Sequence, residues 1–370
     1  MDEGAAMGMA QWIELYGDRS MLAAGGAVIG LGFGFLAQRS RFCLRAAVIE
    51  FWHRRFGEKL SVWLLAFSAA VIGVQLLTLA GWLDTSAARQ IASKGSLSGA
   101  LLGGLIFGVG MVLTRGCASR LLVLSANGNL RALLSGLIFA VTAQSALSGA
   151  LSPVRTEISS WWMVDGGASR DLLARLGLGH EAGLLFGLVW FAAALYFVWR
   201  SPQRSFWMWV GGIGTGLMVA AAWGYSQWIA RESFDAVQIQ GLTFSGPSAE
   251  WLMRVVQWPA PPIGFEFGLM PGVFLGSFLG ALIGRDWKLE GFKDGYSMRR
   301  YIVGAVFMGF GSMLAGGCAV GAGVTGGAIF ALTAWITLLG MWVGAGLTDR
   351  WIDSPAAKPS AAETGTTVAP

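Results

Sequence analysis

LIFGVGMVLTRGCASRLLVLSANG, residues 105–128, decides how this chain folds. Its first half is apolar and glycine-rich, reads as a helix, and halts at Thr114-Arg115-Gly116. Cys117 follows, and a second short helix begins. A bilayer core offers no partners to free backbone N–H and C=O groups. A helix therefore breaks there only where it lines a cavity or is buried in protein. The same break returns in FMGFGSMLAGGCAVGAGVTGG, residues 307–327, around Cys318. In both stretches glycines precede the cysteine by nine, seven and one residues: Gly108, Gly110 and Gly116; Gly309, Gly311 and Gly317. Interrupted apolar segments in corresponding halves point to a transport path.

Composition sets the class. Of 370 residues, 55% are hydrophobic and 13% charged, with a mean hydropathy of +0.59. An ordinary soluble domain is about one-quarter charged, so the chain reads as an all-α integral membrane protein. Its 55 glycines and 18 tryptophans fit helices in close contact and an interfacial aromatic belt. The net charge of +5 needs no nucleic-acid partner. Three cysteines without Cys-x-x-Cys spacing argue against a disulfide framework. Two histidines, His53 in a basic loop and His180 in a connecting loop, argue against a metal site. No pattern calls for a cofactor or a catalytic residue. The acidic opening, residues 1–20, lacks a secretory pattern and reads as a soluble or interfacial helix.

Hydropathy places nine spans near residues 21–37, 60–83, 96–113, 130–150, 181–199, 207–230, 268–284, 300–315 and 323–347. The third and eighth, which lead into the cysteine breaks, read as short. Basic residues gather after the first, fifth and seventh spans: Arg39, Arg41, Arg45, Arg54, Arg55 and Lys59; Arg200 and Arg204; Arg285, Lys288, Lys293, Arg299 and Arg300. The positive-inside rule puts all three groups in the cytoplasm, with the N-terminus outside and the C-terminus inside. Residues 21–150 then form one four-span unit, 151–206 an outer loop and connecting span, and 207–348 a second unit. A single connecting span inverts the second unit relative to the first, giving an inverted repeat. Residues 349–370, rich in Ala, Pro, Ser and Thr, are expected to remain a disordered cytoplasmic tail.

Outside the cysteine breaks the two units diverge. The first span runs into FLAQRSRFCLRAAVIEF, residues 35–51, with Cys43 beside Arg39 and Arg41. The corresponding GLTFSGPSAEWLMRVV, residues 241–256, has a turn at Ser245-Gly246-Pro247, a short helix and no cysteine.

At QRSRFC around Cys43, TRGCASRLLVLSANGNLRAL around Cys117, LTFSGP at 242–247 and GGCAVGAGVTG around Cys318, the sequence resembles the YeeE/YedE family of thiosulfate uptake transporters. The resemblance runs from about residue 22 to 347 and implies an hourglass-like protein with short broken helices, taking up thiosulfate across the cell inner membrane. It further implies that Cys43, Cys117 and Cys318 line the path and relay the ion by S–H···S contacts. A small TusA-like sulfur-carrier protein is implied as a cytoplasmic partner.

The cargo's chemistry sets further expectations. Thiosulfate is a dianion with three hard oxygens and one soft sulfur, and desolvating it is costly. Helix N-termini offer partial positive charge and free N–H groups, and Cys117 and Cys318 stand just before helices that restart at Ala118 and Ala319, behind Gly116 and Gly317. A thiolate would repel the ion, whereas a neutral thiol both donates and accepts weakly, so the resting cysteines are expected to be thiols. Arg41, Arg115 and Arg120 are candidates for attracting the anion, and Gln38, Ser119, Asn127 and Thr325 for polar lining. Two other classes use buried cysteines: a membrane thiol–disulfide oxidoreductase, which needs approaching pairs, and a soft-metal transporter.

Overall fold

The computed structural model describes residue 13 and residues 15–201, 205–260, 263–292 and 295–353. Twelve helices carry the architecture: α1 (Asp18–Ser40), α2 (Leu44–Trp52), α3 (Glu58–Leu79), α4 (Leu97–Leu113), α5 (Ala118–Ala126), α6 (Leu130–Ser148), α7 (His180–Arg200), α8 (Phe206–Glu232), α9 (Ser245–Val256), α10 (Phe265–Gly284), α11 (Gly295–Ala315) and α12 (Leu332–Ile352). A π-helical turn, Ala319–Gly326, lies between the last two. Among the described residues the strands are β1 (Gly95–Ser96) and β2 (Met163–Val164), a short antiparallel ribbon. Among the described residues eight segments are long and apolar enough to cross a membrane, α12 not being one of them, and the protein is an all-α integral membrane protein.

Each of the nine expected spans falls on a helix, with four differences in extent. α11 has 21 residues, enough for a full hydrocarbon core, so the eighth span is not short. The ninth begins at Leu332 rather than 323, because residues 319–326 coil as a π-turn and Phe330, at φ 56°, redirects the chain. α1 starts at Asp18, whose carboxylate suits the positive end of a helix. α12 continues through Ile352, so residues 349–352 belong to the last helix and not to a tail. His180 opens α7 rather than lying in a loop. Most of residues 1–20, the tail beyond 353, Arg204 and Lys293 lie outside the described residues.

Glycine rows bring the helices together. Along the α1–α10 seam, a Cβ on Gly26, Gly30 or Gly34 would run into the carbonyl oxygen of Phe265, Leu269 or Val273. In return, Gly268, Gly272 and Gly276 face the carbonyls of Ala23, Ala27 and Leu31. Lipid supplies no hydrophobic drive for helix association, so backbone-to-backbone approach of this kind is what holds the pair. α4 does the same on two sides. Cβ atoms on Gly104 and Gly108 would lie 2.5 and 2.6 Å from the Thr337 and Met341 carbonyls of α12. One on Gly103 would lie 2.7 Å from the Gly311 carbonyl of α11. The helix that leads into the cysteine-bearing break is thereby clamped between α11 and α12.

The packing also repeats. α1 packs on α10 as α8 packs on α3, α4 on α12 as α11 on α6, and α5 on α6 as the π-turn on α12. α1 with α8, and α4 with α11, form the central pairs. α7 packs on α3, without a counterpart among the element contacts of the second half.

Connecting segments are tied to these breaks. Arg170 donates to the Ser93 carbonyl (2.7 Å) and to Thr333 Oγ1 (2.7 Å), while its own carbonyl accepts from Leu332 N. Burial pushes its guanidinium down to about 10, so it remains a cation at neutral pH. On another connection, Asn129 Nδ2 donates to Glu290 Oε2 (2.6 Å), and Leu130 N to the Glu290 carbonyl.

Candidate functional site

The three cysteines occupy one local motif used three times: a helix end, a left-handed residue, a spacer, then cysteine as the N-cap of the next helix. After α1, Arg41 has φ 55° and Phe42 N donates back to Ala37 O; Cys43 then caps α2. After α4, Arg115 has φ 58° and Gly116 N donates to Met111 O; Cys117 then caps α5. After α11, Gly316 has φ +80° and Gly317 N donates to Ser312 O; Cys318 then caps the π-turn. Each reversal satisfies carbonyls that a helix end would otherwise leave bare.

Glycine adopts the left-handed conformation freely, whereas a residue with a Cβ is held there at about 1–2 kcal/mol. The third copy uses glycine; the first two use arginine. Arg41 and Arg115 are exposed, and their side chains are the reason to look beyond backbone economy at these positions.

The N-cap geometry aims each sulfur at the start of a helix. Gly321 N donates to Cys318 Sγ at 3.5 Å. At the other two starts the N–H groups of Ala46 and Arg120 approach the sulfurs of Cys43 and Cys117 without closing a full cap hydrogen bond. Cys117 Sγ lies 3.4 Å from Ser119 Oγ. The three thiols are free and buried, with Cys43 8% exposed and Cys117 and Cys318 at 0%.

Folding makes neighbours of Cys43 and Cys117, 74 residues apart in sequence. Arg45 and Arg120 place positive charge beside that pair. Arg120 is steadied by Nη1–H donation to Gln38 Oε1 at 3.3 Å. Cys318 sits apart, against the extended segment before α9. Thr325 Oγ1 donates to the Leu242 carbonyl at 2.6 Å, and a Cβ on Gly321 would strike Thr243. Phe33 joins the two regions, with its ring 6.4 Å from Phe42 and 5.3 Å from Phe244. All three rings are buried.

Of the expected lining residues, Gln38, Ser119 and Thr325 are buried and make the contacts given above. Asn127 ends α5, and its Oδ1 is buried without a partner among the described residues. Ala118 and Ala319 are the first residues of their restarting helices. His53 and His180 are bound to Asp349 (2.6 Å) and Gln75 (3.1 Å).

Sequence reasoning passed over the aromatic seam and the carboxylates at the end of α12. Asp353 accepts from Arg300 through both oxygens, at 2.8 and 2.7 Å, and pairs with Arg45 at 3.7 Å. The Arg300 guanidinium holds the Asp353 carboxyl below the usual carboxylate range. One signal was readable: acids in the last turn of a helix oppose its dipole and call for partners.

Residues 39–347 match the family model described as sulphur transport. The chain is 26% identical over 361 residues to the thiosulfate transporter TsuA of Escherichia coli (strain K12), a match covering 88% of this chain and 93% of that one. It is also 26% identical over 350 residues to the thiosulfate transporter TsuA of Spirochaeta thermophila (strain ATCC 700085 / DSM 6578 / Z-1203), covering 88% and 98%. A shorter match, 32% over 111 residues and 28% of each chain, links it to the probable transporter YedE of Escherichia coli (strain K12).

Proposed function

The chain belongs to the sulphur transport family, and on that premise we propose that it takes up thiosulfate across the cell inner membrane along a path lined by Cys43, Cys117 and Cys318. The observation that carries this reading is the threefold use of cysteine as the N-cap of a restarting helix. Each start sets a soft sulfur beside N–H groups and the positive end of a helix dipole. The dianion's hard oxygens then meet N–H groups and arginines while its terminal sulfur meets thiols. Weak sulfur contacts suit passage, because a site that gripped the ion would not release it.

The order of the relay is Cys318 on the outer side, Cys117 at the midpoint and Cys43 toward the cytoplasm. The nearness of Cys43 and Cys117 supports its inner step, since an ion leaving one thiol meets the other next. The paired packing supports two units, residues 21–150 and 207–348, related as an inverted repeat with the outer loop and connecting span between them. With the N-terminus outside and the C-terminus inside, Arg41, Arg45, Arg115 and Arg120 face the cytoplasmic mouth, where a small TusA-like carrier protein would receive the ion.

The nearness of Cys43 and Cys117 favours one other reading, a thiol–disulfide oxidoreductase. Such chemistry needs a thiol that a partner can reach, and both sulfurs are buried. Uptake of radiolabelled thiosulfate by cells lacking their own importer separates the two. Transport predicts accumulation that depends on this chain; accumulation no higher than in empty-vector cells refutes it.

The left-handed arginines supply a sharper prediction. Arg115→Gly relieves backbone strain of about 1–2 kcal/mol, less the entropy that glycine adds to the unfolded chain. The variant is expected to melt no lower than the parent and to take up thiosulfate several-fold more slowly. Thermal melting and initial-rate uptake on the same preparation check both halves.

A further inference from the structure

The last turn of α12 carries Asp349 and Asp353 at the negative end of a helix dipole, where carboxylates are disfavoured. Both have specific partners. Asp349 is 3% exposed and meets His53 Nε2 at the end of α2. Asp353 sits in the fork of Arg300, 2.7 and 2.8 Å away, with Arg45 Nη2 at 3.7 Å. Arg115 adds its charge to the same group.

Asp353 does not exhaust these donors. At 3.7 Å the Arg45 contact is an ion pair and not a hydrogen bond. The Nε–H groups of Arg45 and Arg300 are buried and have no partner among the described residues. Two guanidinium groups with spare donors, closed around one monovalent carboxylate, suit a tetrahedral oxyanion of higher charge. Arg45 lies two residues beyond Cys43 and places its charge beside that thiol.

We propose that Arg45 and Arg300 form an exit-side oxyanion site, filled at rest by the Asp353 carboxylate, and that a departing sulfur oxyanion displaces Asp353 to reach the mouth. Asp353 acts as a tethered competitor. It keeps the arginines from holding the dianion after it leaves Cys43, and it closes the end of α12 against α2 and α11 when no ion is passing. The site reads charge and shape, so sulfate occupies it as readily as thiosulfate; discrimination for sulfur rests with the thiols.

This inference rests on the thiosulfate reading for its cargo, and its test is arranged so that the two fail separately. Sulfate and thiosulfate are titrated calorimetrically into the purified full chain and into Asp353→Asn. Removing a competitor that fills most of the sites raises apparent affinity by the inverse of the free fraction, here expected at about tenfold for sulfate. Adding Arg45→Gln and Arg300→Gln to Asp353→Asn is expected to abolish the gain. Should Asp353→Asn not purify, Asp353→Glu, whose longer arm spoils the fork geometry, is expected to shift affinity the same way by less. Unchanged sulfate affinity in a variant that melts like the parent overturns the site, as does a gain that survives loss of both arginines. A sulfate gain in a chain that takes up no thiosulfate upholds the site and sinks the reading of its cargo.

Discussion

Cys117→Ala is expected to bring thiosulfate uptake down by about 10- to 100-fold while leaving the fold intact. A hydrogen bond to a charged partner is worth about 1.5–3 kcal/mol, and each 1.4 kcal/mol is a factor of ten. Cys117 is the thiol next to Cys43, stands at the start of α5 and follows α4, the helix packed against α11 and α12. Alanine removes only the sulfur from a fully buried site, a change of one small group that the surrounding helices survive. Cys117→Ser is the sharper comparison. It keeps the size and the donor but replaces a soft atom with a hard one, and its hydroxyl has Ser119 Oγ to engage. Uptake by the serine variant is expected to fall well below the parent at equal melting temperature. Equal uptake would mean that sulfur contributes nothing beyond hydrogen bonding.

Gly30→Val is expected to cost the fold itself. A Cβ at Gly30 would sit 2.6 Å from the Leu269 carbonyl and 3.1 Å from Val273 N, both backbone atoms of α10 that no rotamer change can move. Overpacking costs about 1–3 kcal/mol where side chains can yield, and here the two helix axes must separate. The α1–α10 seam then loses its other close contacts, at Gly26, Gly34, Gly268, Gly272 and Gly276. Little folded protein should be recovered after detergent extraction and size-exclusion chromatography. Val28→Ala provides the control, because Val28 is 72% exposed on the same helix. That variant is expected to behave as the parent, which would assign the effect to the seam and not to α1 at large.

How much of this was legible in the sequence follows from the range of the forces involved. Helix existence depends on local apolar runs, and all nine expected spans are helices. The breaks at Cys117 and Cys318 were readable because Thr114-Arg115-Gly116 and Gly316-Gly317 interrupt those runs at matching glycine spacings. Contacts between distant segments left no such mark. Nothing local tells Cys43 that it meets Cys117, or Phe33 that Phe42 and Phe244 close around it. The ninth span was placed too early because Phe330 at φ 56° is a turn that hydropathy does not register in an apolar stretch. Residues 349–352 read as tail from the Ala-, Pro-, Ser- and Thr-rich composition that follows them, and no local signal shows that Asp349 meets His53 or that Asp353 meets Arg45 and Arg300.

The left-handed arginines lie between these cases. Their positions, two residues before Cys43 and Cys117, match that of Gly316 before Cys318, and the repetition is visible in the sequence once the motif is known. What the sequence alone does not reveal is that all three residues hold the same left-handed backbone conformation.

The central claim is that the ion passes the three thiols in turn. The most direct measurement is initial-rate uptake of labelled thiosulfate into liposomes containing the purified chain, beside Cys43→Ala, Cys117→Ala, Cys318→Ala and the variant lacking all three. The account predicts uptake by the parent, a large loss at each single substitution, and background rates for the triple variant at a parental melting temperature. Parental uptake by the triple variant would contradict it.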